Sequence, residues 1–208
     1  MTRAAIHAQG RRAGLMVLCG PILAGAVVGL AGWFAADAWP PSQAMTLVNW
    51  LAQVFVIAVG VCAAVALTGD PLIELHESTP TGFRQVQLLR AGLVALSGLV
   101  GAVLMFFPLR ALRVWPRDEG WTSVASPAGA VVIVIVVALV AAAFAGTVST
   151  TTIAVVAAWM FLAMLWDPYV LPLPQQRGIP LIFSAGLLVV VWHRLANAER
   201  NIAKVVAA

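Results

Sequence analysis

The sequence predicts an all-α polytopic membrane protein: six transmembrane helices, with a short amphipathic helix on the cytoplasmic loop between the second and third. Three observations carry that expectation. Of 208 residues, 62% are hydrophobic and 10% charged, whereas soluble domains hold roughly 45–50% and 25%. Uncharged apolar runs recur at about the 20-residue length needed to cross roughly 30 Å of hydrocarbon. Trp33, Trp50, Trp115, Trp121, Trp166 and Trp192 fall near the ends of those runs, as an aromatic belt of interfacial anchors requires.

The first span is expected at about 14–36 and the second at about 45–67, both without charge. Arg3, Arg11 and Arg12 precede the first run, and "ADA" at 36–38 imitates a cleavage site. The run is too long for a signal h-region of about 7–15 residues, so it reads as a retained span. The third span is uncharged from Ala91 to Leu109 and is placed at 88–109. Between Trp121 and Trp166 no residue is charged, a length that suits two spans. "GTVSTTT", 146–152, divides them: Gly146 can end one helix, and Ser149 or a threonine can cap the next. The fourth span is thus 124–146 and the fifth 148–166. The sixth, 178–195, contains Pro180, which is tolerated if it lies in the first turn, with Arg194 reaching to the interface.

Orientation follows from the cations of the short loops, which favour the cytoplasmic side. With both termini inside, Arg3, Arg11, Arg12, Arg84, Arg90, Arg194, Arg200 and Lys204 are cytoplasmic, and Arg110, Arg113, Arg117 and Arg177 are outside. The net charge of +4 is spread over both faces, which argues for headgroup anchoring and against nucleic acid as a partner. The lipid bilayer is the expected surrounding, and the plasma membrane the expected location.

The spans carry no ionisable residue at their centres, which disfavours an ion-driven carrier or an intramembrane acid–base enzyme. Asn49, Gln53 and Ser97 can be satisfied by neighbouring helices. Cys19 and Cys62 lie in apolar spans without a CxxC pair, so they read as small hydrophobes and not as metal ligands. His7, His76 and His193 lie outside or at the edge of spans, which disfavours haem ligation within the bilayer. Gly25 and Gly29 form a G-x-x-x-G, and Ser97 with Gly101 a small-x-x-x-small pair; both suit helix packing within the chain or between chains.

The polar segment "GDPLIELHESTPTGFRQVQLLRAG", 69–92, carries the best functional clue. Asp70 and Pro71 form a cap-then-proline helix start. On that helix Glu74, Glu77 and Ser78 share one face and Leu72 and Leu75 another. Pro80 ends it, and Thr79–Pro80 repeats the start signal, so a second helix can run through Phe83, Arg84 and Arg90 into the third span. Interfacial helices that lie on lipid are typically basic on their polar face. This one is acidic, which suits docking against a protein. The tail 193–208 places His193, Asn197, Arg200 and Lys204 on one side and Leu195, Ala198, Ile202 and Val205 on the other, an interfacial anchor.

"DPLIELHESTPTGFRQVQLLR" resembles the loop between the second and third spans of actinobacterial ABC exporter permease subunits, in the type-2 ABC export permease family. The resemblance is specific over this loop and architectural elsewhere. It implies a coupling helix within a loop at 69–87, seated in a groove of a separate ATPase subunit present in two copies. Asp70, Pro71, Glu74 and Leu75 match the start of the loop and Thr79, Pro80, Arg84 and Arg90 its exit, and Leu72 and Glu77 join them among the residues expected to bind the ATPase. It further implies a salt bridge from Glu74 or Glu77 to Arg90, and pairing with a second transmembrane subunit. No Walker G-x-x-x-x-G-K-[ST] occurs and the single lysine is Lys204, so ATP and Mg would belong to the partner ATPase, with no catalytic residue, metal or cofactor in this chain. Two further readings stay open: a non-transporting assembly subunit of a larger membrane complex, and a membrane redox or enzyme subunit.

Overall fold

The computed structural model describes residues 15–68, 83–117, 119–170 and 172–196. The described residues form helices, turns and loops without a strand. The helices are α1 (Leu15–Ala38), α2 (Pro41–Leu67), α3 (Phe83–Ala111), a 3-10 turn (Gly120–Val124), α4 (Ala125–Phe144), α5 (Val148–Met160) continued by a π-helical turn (Phe161–Trp166), and α6 (Leu173–Leu195). Six of these segments are long and apolar enough to cross a membrane. The chain is thus a multi-pass α-helical membrane protein.

Helix α4 is the hub, packing against α2, α3, α5 and α6, while α1 leans on α2 and α3 from outside. Its sequence explains the position. Ala125–Phe144 is apolar on every side, with Val131, Val134, Ala138 and Leu139 buried, as befits a helix surrounded by others.

In α1 the usual size rule is reversed. Gly25, Val28, Gly29, Gly32 and Ala35 face the bundle, whereas Leu23, Val27, Leu30 and Phe34 are exposed. Lipid solvates large apolar side chains as well as protein does, so helix association gains most where small residues let backbones approach. That approach is close: a Cβ added at Gly25 would stand 2.1 Å from the Gly101 carbonyl oxygen, and one at Gly101 2.3 Å from that of Pro21. Both small-residue patterns noted in the sequence therefore pack within the chain, α1 on α3. The Ser97 hydroxyl donates to the Leu18 carbonyl across the same contact. Cys19 and Cys62 carry free thiols, and Cys62 packs beside Gly20.

The break at 146 occurs where glycine requires it. Gly146 adopts φ +75°, and the Thr147 side chain caps α5 by accepting the Thr150 N–H at 3.2 Å. The sixth helix departs from expectation. It starts at Leu173 with Pro172 as N-cap and a proline in its first turn, so Pro180 lies in its interior. Proline suits a first helical turn because it has no N–H to lose there; Pro174 takes that role, and the helix gains a turn containing Arg177.

Trp33, Trp50, Trp121 and Trp192 are exposed on the surface of the bundle, where an interfacial anchor must lie. Trp115 differs: it is buried, edge-on to Phe106 at 5.2 Å. The loop after α3 folds back over the bundle, with Arg113 at φ 59° and the Val114 N–H bonded to the Leu109 carbonyl.

Candidate functional site

The most elaborate polar arrangement among the described residues lies at the end of the bundle where α4 begins, α5 finishes and α6 starts. The π-helical turn sets it up. The Asp167 N–H reaches back to the Leu162 carbonyl at 2.8 Å, a five-residue step. Such wide turns shift the register of the side chains that follow and recur at functional sites.

Ten residues on, Arg177 turns into the bundle and meets Asp167 in a two-pronged ion pair, Nη1 to Oδ1 and Nη2 to Oδ2, each 2.7 Å. The side chains are 7% and 15% exposed. Arg177 Nε donates to the Ser126 carbonyl at 2.9 Å and Nη2 to the Ser126 hydroxyl at 3.3 Å. Gly129 on α4 makes room: a Cβ there would lie 3.0–3.3 Å from the arginine stem. A guanidinium taken out of water is tolerated when its donors are this fully engaged.

Asp167 is a junction. Its carboxylate holds Arg177, and its carbonyl accepts from Arg117 Nη2 at 2.9 Å and Gln176 Nε2 at 3.2 Å. Pro180 contributes a further link, because it has no N–H to offer the Gln176 carbonyl one turn back. The Trp166 indole N–H takes the place, donating to that carbonyl at 2.8 Å. Helix α6 is thus stitched to α5 and α4 where its own ladder is broken.

Beneath this network lies a cavity of about 190 Å³. Its walls come from α2 (Asn49, Gln53, Val56), the loop carrying Trp115 and Arg117, α4 (Ser126, Ala130), α5 (Trp159, Leu162, Ala163) and α6 (Gln176, Arg177). The Trp159 indole N–H donates to Gln53 Oε1 at 3.0 Å. Each Asp167 carboxylate oxygen accepts one bond from Arg177. Among the described residues no three His, Cys, Asp or Glu side chains gather as metal ligands would.

Of the residues singled out in the sequence, Asp70, Pro71, Leu72, Glu74, Leu75, Glu77, Thr79 and Pro80 lie outside the described residues, as does the tail beyond 196. Arg84 is in the first turn of α3, its guanidinium over the Trp192 ring at 4.1 Å. Arg90 is buried on the same helix. The two sit at the opposite end of the bundle from Asp167. Sequence reading placed Arg177 among surface cations and left Asp167 unremarked. The usable signal was the proline pair 172 and 174: a helix started there carries Arg177 inside, and an interior arginine demands a nearby acid.

Fold and site together define a six-span helical membrane protein with a polar cavity beside a buried ion pair near one end. The chain matches no family model, no curated protein and no solved structure.

Proposed function

We propose that this chain is the permease subunit of an ABC exporter, and that ATP hydrolysis by a separate ATPase subunit drives translocation through the segment 69–87. The reading places both termini in the cytoplasm and the Asp167 cavity on the outer side of the plasma membrane. It also pairs Glu74 or Glu77 with Arg90, and the chain with a second transmembrane subunit.

One observation carries it beyond the sequence resemblance. Helix α3 is unbroken from Phe83 to Ala111, and its first turns are fastened before they reach the core. Phe83, Val86, Gln87 and Arg90 are buried, Gln87 Nε2 donates to the Leu67 carbonyl at 3.2 Å, and Arg84 stacks on Trp192 of α6. A push delivered to the preceding loop meets a stiff helix joined to α2, to α6 and, through Gly25 and Gly101, to α1. That is what a coupling element needs.

The test is copurification of the tagged chain from its own host in mild detergent. An ATPase bearing a Walker sequence should accompany the wild type and fall at least about tenfold with Glu74→Arg, since like-charge juxtaposition at a docking face costs several kcal/mol. Deletion of 71–78 should abolish it. An assembly that persists through both changes refutes the coupling role and favours the non-transporting subunit.

A further inference from the structure

Among the described residues that line the cavity beneath Asp167, two arginines meet one carboxylate. Arg177 and Asp167 cancel one another in their two-pronged pair. Arg117, exposed at the rim, spends one Nη2 bond on the Asp167 carbonyl, and among the described residues no carboxylate faces its guanidinium. The neutral groups that line the cavity include two amide side chains, Gln53 and Asn49. Trp159 occupies Gln53 Oε1, so the amide nitrogen of Gln53 is the end left for a ligand, and Asn49 adds a second amide at the exposed rim. The size is equally selective. Drug-sized ligands occupy about 300–1,000 Å³, whereas about 190 Å³ holds a small polar group and little more.

We propose that this cavity binds one small anion of phosphate or carboxylate type, with Arg117 as its charge partner, the amides of Gln53 and Asn49 as neutral donors, and Trp159 as a wall. Nothing in this depends on an ATPase, so it stands or falls separately from the permease reading. The anion has two possible sources, dissolved phosphate or the headgroup of an anionic lipid.

The purified full chain, reconstituted in phosphatidylcholine nanodiscs, is titrated with inorganic phosphate. In a second arm, phosphatidylglycerol replaces part of the lipid and no phosphate is added. Native mass spectrometry counts what remains bound. Saturation at a single adduct in the first arm assigns the site to a dissolved anion; saturation only in the second assigns it to a headgroup. In either case the apparent affinity should fall about tenfold in Arg117→Gln, because a charge-assisted bond is lost, and be largely kept in Arg117→Lys. Ala163→Leu, which fills the cavity without altering charge, should weaken binding as well. Absence of saturable binding in both arms overturns the proposal. So does binding undiminished in Arg117→Gln and Ala163→Leu when both variants melt at the wild-type temperature.

Discussion

Replacing Arg177 by methionine is the most demanding test of the ion-pair network. The change keeps an unbranched stem beside Gly129 but removes five N–H donors, four of whose bonds are accounted for by Asp167 and Ser126. Asp167 then holds a carboxylate that is 15% exposed with no cation on it. Removing one partner of a buried pair costs about 3–5 kcal/mol. The adjoining cavity lets water reach Asp167, so the lower figure applies: about 3 kcal/mol, or roughly a hundredfold in the unfolding equilibrium. Asp167→Asn should cost about as much, because it strands the guanidinium. The double variant Arg177→Met/Asp167→Asn removes both charges and should cost only about 2 kcal/mol, far below the sum of the singles. Unfolding in detergent can be followed with a thiol-reactive dye, since Cys62 is partly covered against Gly20 until α1 and α2 separate. Single variants within about 0.5 kcal/mol of wild type, or a double variant destabilised by the full sum, would show that the pair does not hold the α4–α5–α6 end together.

Three further outcomes follow from named contacts. Gly25→Val should destabilise by at least about 2 kcal/mol by overpacking, because its Cβ would meet the Gly101 carbonyl at 2.1 Å; Gly92→Ala, with nothing within 4 Å, should be neutral or slightly stabilising in the same melt. Thr147→Ala should lose about 1 kcal/mol of cap energy, read as faster hydrogen exchange at the Thr150 and Thr151 amides, while Thr147→Ser should keep it. A double-mutant cycle on Arg84→Gln and Trp192→Leu should return a coupling of about 0.5–1 kcal/mol, given 4.1 Å from guanidinium to ring; additive effects would show that the first turn of α3 is not tied to α6 by that contact.

The six spans were legible because bilayer thickness imposes a length that composition alone reports. The turn at 146 was legible too, since φ +75° is a conformation glycine takes at little cost and a β-carbon resists. The polar network was not. A charge count along the chain treats Arg177 as a loop cation, and only the helix start at Leu173, set by Pro172 and Pro174, turns it inward. Trp115 misled for a related reason: a tryptophan near a span end reads as an anchor, but the reversal at Arg113 folds it onto Phe106. The role of 69–80 rests on its sequence, for those residues lie outside the described part of the chain.

The two ends of the bundle are built for different tasks, and the chemistry of their contacts says which. At the end carrying Arg84 and Trp192, the joints are a cation over a ring and one amide-to-carbonyl bond, each worth about 1 kcal/mol and remade after a small slide. Between α1 and α3 the joint is backbone against backbone, with Gly25 and Gly101 leaving no room for a methyl group. Such a contact resists rotation of one helix against the other, so α1 must travel with α3. At the far end Arg177 joins three helices through charge-assisted bonds that cannot be stretched without exposing a bare carboxylate. Under the proposed function, a stroke at Phe83 would therefore move α1 and α3 as one body against a base anchored by α4, α5 and α6. The motion would be taken up where α1 and α3 slide on α2 and α4. Asn49, Gln53 and Val56 of α2 line the cavity, so its volume would change with the stroke, and anion affinity would differ between the nucleotide-bound and nucleotide-free assemblies. Equal affinity in the two states would mean that the stroke does not reach this end of α2.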